Sequence, residues 1–196
     1  MRKWKKNIKN PLKLVSVLTS YMICVIYYST CRFDNHRGWK CWKRLLDKRI
    51  TFILDGDWLS DSLIDAAQSL LKNQFPSMCG LQPTVLGETL AFNVVKGDFV
   101  QVILVNRNHW VTVSNIRCQR NCIDIYDSKP SIGFPSDGKE KIAALICSDR
   151  KQFNINFKPV QRQKGGQDCG LFAIAFAHSI CCGIDPTGLI FLQVST

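Results

Sequence analysis

The sequence predicts an α+β domain with a small, mostly antiparallel sheet and flanking helices. Residues 99–126 contain three short runs rich in β-branched residues, separated by polar turns, as in adjacent antiparallel strands. Residues 60–73 predict a helix that Ser60 can cap, with one apolar face formed by Leu63, Ile64, Ala67, Leu70 and Leu71. An almost unbroken apolar run from residue 168 predicts a buried helix. A helix followed by strands and further helices is typical of the α+β class.

After the first predicted helix, a loop is predicted through Pro76 to Gly80, and strands are predicted across 90–127. The β-branched, alternating and turn-bounded segments within that region are Phe99 to Val105, Trp110 to Ile116 and Cys122 to Tyr126. A helix near 139–147 and a strand near 152–158 complete the pattern before the helix that begins at 168.

Cys169 lies at the start of the last predicted helix, within the segment QKGGQDCG. The unpaired N–H groups and the positive dipole end of a helix stabilise a thiolate, which is the nucleophilic form of cysteine. Asp168 is a natural N-cap residue, and Gly165 and Gly166 allow unusual backbone angles in the turn. Cys169 is therefore a candidate nucleophile, although a buried cysteine is more often an inert apolar residue.

His109 and Asp127 are the candidate partners of this thiol. His109 opens one predicted strand and Asp127 closes the next, so antiparallel pairing would bring both side chains to one end of the sheet. A carboxylate that orients an imidazole, and an imidazole that takes a thiol proton, form a catalytic triad.

The order His, Asp, Cys resembles the SUMO (sentrin) proteases, which cleave ubiquitin-like modifiers. In that family a His-Trp pair begins a strand, an Asp, often followed by Ser, ends the next, and a Gln lies six residues before the Cys of an Asp-Cys-Gly segment. The matching residues here are His109-Trp110, Asp127-Ser128, and Gln163 with Asp168-Cys169-Gly170. The resemblance implies a papain-like cysteine protease fold with His109 as general base, Asp127 as its orienting partner and Cys169 as nucleophile.

The resemblance also implies an oxyanion donor and a substrate-binding surface. Gln163 matches the family spacing for the donor, with Gln167 as the alternative. In the family, the Trp of a Trp-Leu-x-Asp segment and the Trp after the catalytic His line a narrow tunnel for a Gly-Gly tail. Trp58 and Trp110 match these positions, and Asp61 could pair with a basic residue of the modifier.

Charge divides the chain into two predicted parts, a basic segment at 1–50 and a catalytic domain at 51–196. Residues 1–50 contain 13 Lys+Arg and 2 Asp+Glu, whereas residues 51–196 contain 13 of each. Because the domain carries no net charge, the basic pI is no argument for nucleic-acid binding, and no specific nucleic-acid partner is predicted. The family resemblance covers the second part and thins after Gly183, where a missing terminal helix is expected to leave the core underpacked.

The basic segment contains a short apolar stretch. Leu14 to Tyr28 holds 15 residues without a charge, which is short for a spanning helix and close to the apolar region of a signal peptide. Residues 12–31 could therefore form a membrane anchor, a signal peptide or a surface-packing helix, or stem from a wrongly joined exon. A thiolate enzyme suits the reducing nucleus or cytoplasm, so these locations are predicted, with membrane association if the anchor is genuine.

Ten cysteines in 196 residues do not follow a disulfide or metal pattern. Cys118 and Cys122 flank a predicted hairpin turn, but a C-x3-C pair without a second pair or a nearby histidine is weak support for zinc. No metal or organic cofactor is therefore predicted.

The predicted function is hydrolysis of a peptide or isopeptide bond after the glycine-ended tail of a SUMO-type ubiquitin-like modifier, with the modifier and its conjugates as partners. One alternative is a module that binds a ubiquitin-like protein without cutting it. Others are a protease of transposon or viral origin with another substrate, and a membrane-inserted protein whose cysteine domain serves packing alone. The oligomeric state is not predicted.

Overall fold

A computed structural model of the chain describes residues 58–119, 121–146 and 153–191. The strands within these ranges are β1 (Cys79–Gly80), β2 (Phe99–Val105), β3 (His109–Ser114), β4 (Cys122–Tyr126) and β5 (Asn154–Phe157). The helices are α1 (Asp61–Gln74), α2 (Thr84–Glu88), α3 (Ser136–Ile146) and α4 (Cys169–Cys181), and a 3-10 turn follows at Pro186–Gly188.

The five strands form one mixed sheet in the order β1-β2-β3-β4-β5. The three central strands are antiparallel, as the alternation of apolar runs and polar turns predicts. The two outer strands each run parallel to their neighbour. Helices cover the sheet, so the α+β class predicted from the sequence is confirmed.

A tight hairpin between β2 and β3 fixes where His109 begins its strand. Val105 pairs with His109 across the hairpin, and the N–H of Asn108 donates to the carbonyl of Val105 at 3.2 Å. Asn106 and Arg107 both have positive φ, at 50° and 60°. Two consecutive residues of this kind match the right-handed twist of the strands, which makes such turns common in hairpins. The hairpin thereby places the imidazole at one end of the sheet, where β3 begins.

Both faces of the three central strands are buried. On one face α1 and α4 pack over a core that includes Val100, Val102, Trp110, Tyr126 and Phe176. On the other face α3 covers a second core that includes Phe99, Val105, Val111, Ile125 and Leu145. Successive residues of each strand enter opposite cores because strand side chains alternate between the two faces.

The helix α4 is held directly on the centre of the sheet. Its carbonyl at Ala173 accepts a hydrogen bond of 2.6 Å from the hydroxyl of Thr112 in β3, and both residues are buried. A buried hydroxyl without a partner would be costly, so this contact favours one position of α4 relative to β3. Because the helix begins with Cys169, the contact also helps to position the thiol.

The residues after Gly183 contribute to the core as well. Phe191 is buried and makes edge-to-face contacts with Phe172 and Phe176 of α4, with ring centroids 5.8 Å and 5.5 Å apart. The side chain of Gln161 also bridges to the backbone of Phe191. The expected underpacking after Gly183 stays a prediction, because the described region shows only where Phe191 packs.

The localisation predicted from the sequence needs correction. Within the described residues, no helix has the length and apolar character required to span a bilayer. The apolar segment at 12–31 and the whole basic segment at 1–50 lie outside the described residues. The assignment to nucleus, cytoplasm or membrane rested on chemical compatibility and on that segment, so no location is assigned.

Candidate active site

Cys169 is the first residue of α4, as the sequence predicted. Asp168 occupies the N-cap position, although its side chain makes no capping hydrogen bond. In the loop before it, Gly165 has a φ of +84°, which residues with a Cβ rarely adopt. The thiol therefore stands at the positive end of a buried helix that follows a glycine-dependent turn.

His109 and Asp127 meet at one end of the sheet. The Nε2 atom of His109 lies 2.6 Å from Oδ1 of Asp127, and the same oxygen accepts the N–H of Lys129 at 2.8 Å. The antiparallel pairing of β3 with β4 explains this meeting, since His109 opens β3 and Asp127 directly follows β4. Asp127 is 9% exposed, so water screens the pair only weakly.

His109 and Cys169 shift the pKa of each other, so the imidazole and the thiol are neighbours in the fold. The backbone N–H groups of Trp110 and Gly170 also lower the pKa of the Cys169 thiol. The fold therefore brings the carboxylate, the imidazole and the thiol to one place, although they are distant in sequence.

These contacts shift both titrating groups of the pair in the direction of an ion pair. Burial lowers the pKa of His109, but the hydrogen bonds and negative charges of Asp127 and Cys169 outweigh it and raise the pKa to about 9. Burial raises the pKa of Cys169, but the hydrogen bond from His109 and the two backbone donors outweigh it and lower the pKa. Both shifts favour transfer of the thiol proton to the imidazole, which gives a thiolate beside an imidazolium.

We expect Cys169 to react with iodoacetamide at pH values where ordinary thiols are protonated and slow. The lowered pKa keeps the thiolate present as pH falls below the usual thiol range, while the imidazolium persists until pH rises through about 9. Site-resolved alkylation rates between pH 5 and pH 10 check this, with added free cysteine as the reference thiol. His109→Ala should move the profile of Cys169 to higher pH, and an unshifted profile in that variant would contradict the ion pair.

Access to the sulfur is narrow. Cys169 is 1% exposed, whereas the side chain of His109 is 18% exposed. A carbonyl therefore reaches the sulfur only after neighbouring atoms shift. The exposed loop with Gly165 and Gly166 precedes Cys169, and a Cβ added at either glycine would meet no atom within 4 Å. This loop has the space to move when a substrate enters.

Gln163 is held by the strand end that carries Asp127. Its backbone N–H donates to the carbonyl of Ser128 at 2.9 Å, and its Oε1 accepts the hydroxyl of Ser128 at 2.6 Å. The Nε2 atom donates to the carbonyl of Gly165 at 3.3 Å. Since an amide nitrogen carries two hydrogens, one further N–H can serve an oxyanion. Gln167, the alternative donor, lies exposed in the same loop.

The predicted substrate residues differ in their surroundings. Trp58 is 44% exposed and Asp61 is exposed, so both can contact a partner. Trp110 is only 3% exposed, and its indole N–H donates to the carbonyl of Leu59 at 3.0 Å. Trp110 thus anchors the backbone next to Trp58, and its own ring is mostly core.

Leu59 connects this segment to the helix of the nucleophile. A Cβ added at Gly170 would lie 2.9 Å from Cβ of Leu59, a distance that real Cβ atoms essentially never show. The close approach at Gly170 is therefore made by a side chain of the protein itself. Sequence reasoning missed Leu59 because a buried leucine carries no chemical signal.

We expect Gly170→Ala to displace the Trp58–Leu59 segment and to lower both stability and activity. The loss of packing should cost about 1–3 kcal/mol of unfolding free energy, which exceeds the gain of up to ~1 kcal/mol from replacing glycine in a helix. Urea unfolding and kcat/KM measure the two effects. Gly166→Ala is the matched control, because a Cβ there meets nothing within 4 Å. Equal behaviour of the two variants would contradict the role of this contact.

His178 lies near the opposite end of α4 from Cys169. Burial lowers its pKa, and its ring meets the ring of Phe75 edge-on at 6.4 Å between centroids. It also lies within 3.7–3.9 Å of the sulfur of Cys182. These surroundings are those of a partly buried histidine with a packing role.

The site and fold together define a class of protein. A thiol at the head of a buried helix, facing an imidazole and a carboxylate on an antiparallel sheet, is the arrangement of papain-like cysteine proteases. No protein-family model matches the sequence, and no curated protein sequence matches it. Solved structures do match, as follows.

Three solved structures of SUMO proteases share the fold. The Ulp1 protease domain in complex with Smt3, the yeast ortholog of SUMO, is 15% identical, with a TM-score of 0.52, over 69% of this chain and 71% of that chain. Ulp1 with its catalytic cysteine oxidised to a sulfinic acid is 13% identical, with a TM-score of 0.52, over 66% and 68%. A de-sumoylating protease is 15% identical, with a TM-score of 0.52, over 67% and 65%. The chain therefore has the fold of the SUMO-type cysteine proteases, which confirms the predicted resemblance at that level.

Proposed function

We propose that this chain is a cysteine-type peptidase that hydrolyses peptide or isopeptide bonds after the glycine-ended tail of a SUMO-type ubiquitin-like modifier. The observation that carries the proposal is the contact of 2.6 Å between His109 and Asp127, beside a Cys169 thiol whose pKa His109 lowers. The fold shared with Ulp1, which was solved in complex with the yeast SUMO ortholog, supports the choice of partner.

In the first half of the reaction the thiolate of Cys169 attacks the carbonyl carbon of the terminal glycine. The C–N bond of the tetrahedral intermediate then breaks, and the imidazolium of His109 donates its proton to the leaving amine. Asp127 accepts a hydrogen bond from Nε2 and holds the ring with its other nitrogen towards the sulfur. The product on the enzyme is a thioester.

In the second half of the reaction water hydrolyses the thioester. Neutral His109 takes a proton from the water, the resulting hydroxide attacks the thioester carbonyl, and the C–S bond breaks. The thiolate of Cys169 leaves, and the proton on His109 restores the ion pair. The proposed chemistry needs no metal or organic cofactor, because the three side chains and water balance every proton.

We expect Gln163→Ala to lower kcat by about 10²–10³-fold, because one donor to the developing oxyanion is lost. The Ser128 contact holds the amide of Gln163 beside Asp127, which favours it over Gln167. Single-turnover rates for Gln163→Ala and Gln167→Ala decide between the two donors. A large loss confined to Gln167→Ala would reverse the assignment.

Trp58, Asp61 and Trp110 are proposed to bind the modifier. Trp58 is exposed and precedes Leu59 in the sequence. Leu59 packs on Gly170, and its carbonyl accepts a hydrogen bond from the indole of Trp110. Trp58 therefore lies on a segment that contacts the helix of Cys169. A flat indole at the position of Trp58 admits glycine and excludes larger side chains. Asp61 offers an exposed carboxylate to a basic residue of the modifier.

Cleavage of modifier precursors tests this function. Several ubiquitin-like precursors with a Gly-Gly tail are compared with versions whose final glycine is replaced by alanine. We expect at least one SUMO-type precursor to be cut directly after glycine, with the alanine version slowed by about 10–200-fold. Tight binding without cleavage by any of them would favour the non-catalytic binding module.

A further inference from the structure

Three metal-binding side chains lie together at the far end of the β3–β4 hairpin. The sulfurs of Cys118 and Cys122 and a carboxylate oxygen of Asp124 all lie within 4.8 Å of one another. Both cysteines are free thiols and are partly exposed, whereas Asp124 is buried at 4% exposure. The C-x3-C spacing is weak support for a metal by itself, but the fold adds a third ligand.

The hairpin explains why these groups converge. Ser114 pairs with Asp124 across the two strands, and the chain then turns back between Asn115 and Cys122. The N–H of Cys118 donates to the carbonyl of Asn115 at 3.1 Å, which bends the first arm of the turn. Cys122 and Asp124 are two residues apart in β4, so their side chains share one face of the strand.

The surroundings of Asp124 suit a metal-ligating carboxylate. Nδ2 of Asn156 on the neighbouring strand donates to its Oδ1 at 2.7 Å, and Nζ of Lys158 lies 3.7 Å from its Oδ2. Ligating carboxylates are usually held by such outer hydrogen bonds. Two thiolates and one carboxylate exceed the charge of a divalent cation by a single negative charge, which the ammonium of Lys158 can balance.

We propose that Cys118, Cys122 and Asp124 bind one zinc ion, with a water molecule as the fourth ligand. Soft thiolate ligands select zinc over magnesium or calcium. Tetrahedral zinc with Zn–S bonds of about 2.3 Å holds its ligand atoms roughly 3.5–3.8 Å apart, so rotation of the exposed thiols closes the site. The ion ties the hairpin turn to β4, the strand that ends at Asp127, and this site is independent of the proposed peptidase activity.

Zinc-dependent protection from alkylation tests the site. The full chain carries Cys169→Ala, so that the reactive thiolate cannot bind the added metal, and is kept reduced. Alkylation at each cysteine is then mapped by mass spectrometry with and without zinc chloride, and thermal unfolding is followed as zinc is titrated. We expect one zinc per chain, slower alkylation of Cys118 and Cys122, and a Tm that rises with zinc concentration.

Substitutions identify the ligands. Cys122→Ser and Asp124→Asn should each weaken zinc affinity by at least about 10-fold, whereas Cys79→Ser, a partly exposed cysteine elsewhere, should leave it unchanged. The alkylation rates of Cys118 and Cys122 in the chain with an unsubstituted hairpin also test the ligands, because they do not depend on whether a ligand variant folds. Equal alkylation of Cys118 and Cys122 with and without zinc, or protection that maps to Cys181 and Cys182 instead, would overturn the proposal.

Discussion

Cys169→Ala is expected to lower kcat/KM for a glycine-tailed modifier by at least about 10⁴-fold while leaving modifier binding intact. The thiolate is the only atom proposed to form a bond with the substrate, so its removal leaves only positioning and oxyanion stabilisation. Binding should persist because the proposed contacts to the modifier are made by the segment around Trp58 and Asp61 and do not involve the sulfur. Steady-state kinetics and the Kd of the unsubstituted modifier measure the two properties.

Cys182→Ala provides the control for the loss of a cysteine. Cys182 is exposed and lies at the opposite end of α4 from Cys169, so its removal should leave kcat/KM unchanged. Near-normal turnover by Cys169→Ala would remove the nucleophile from the proposed mechanism. Loss of binding together with turnover would indicate that the substitution disturbs the fold.

Asp127→Asn is expected to lower kcat/KM on the order of 10²–10⁴-fold, with little effect on the fold. The amide can still accept the hydrogen bond at 2.6 Å from His109, but it carries no charge to stabilise the imidazolium. Because the negative charge of Asp127 helps to raise the pKa of His109 to about 9, the variant should bring this pKa back towards its usual value of 6.5.

The pH profile separates this effect from general damage. In the unsubstituted protein, protonated His109 is lost as pH rises through about 9, and the rate falls with it. In Asp127→Asn the same decline should occur at lower pH, and the thiolate of Cys169 should form less readily at neutral pH. Asp185→Asn, a carboxylate remote from the triad, should leave the profile unchanged. A near-normal rate and profile in Asp127→Asn would mean that another group orients His109.

The central contacts of the site were predictable because they depend on neighbouring elements. His109 opens β3 and Asp127 directly follows β4, the next strand, and antiparallel pairing returns the end of one strand to the start of the other. Cys169 was predictable from the abrupt change between a glycine-rich turn and an apolar run. Local patterns of this kind can be recognised within a continuous stretch of sequence.

Other contacts depend on tertiary packing and left no local signal. Ser128 hydrogen-bonds Gln163, which lies 35 residues later in the sequence. Leu59 contacts Gly170, although the two residues lie far apart in the sequence. The two-residue strand β1 lies inside the predicted loop, and the five-residue helix α2 is too short for a periodic pattern. Asp124 joins Cys118 and Cys122 only because the hairpin register places it there.

Trp110 illustrates a residue whose side chain fulfils a role that the sequence could not distinguish. An indole suits both a substrate tunnel and a core, since it has a large apolar surface and one hydrogen-bond donor. The structure places it in the core and uses its donor to hold Leu59. Its contribution to substrate binding is therefore proposed through the position of the neighbouring segment.

The most direct test of the account is covalent capture by a SUMO-type modifier whose terminal glycine carries an electrophile. The account predicts a single adduct on Cys169 at neutral pH, formed much more slowly in His109→Ala and absent in Cys169→Ala. No adduct with any modifier, or an adduct on another cysteine that forms equally fast in Cys169→Ala, would contradict the proposal that Cys169, His109 and Asp127 act together as a catalytic triad.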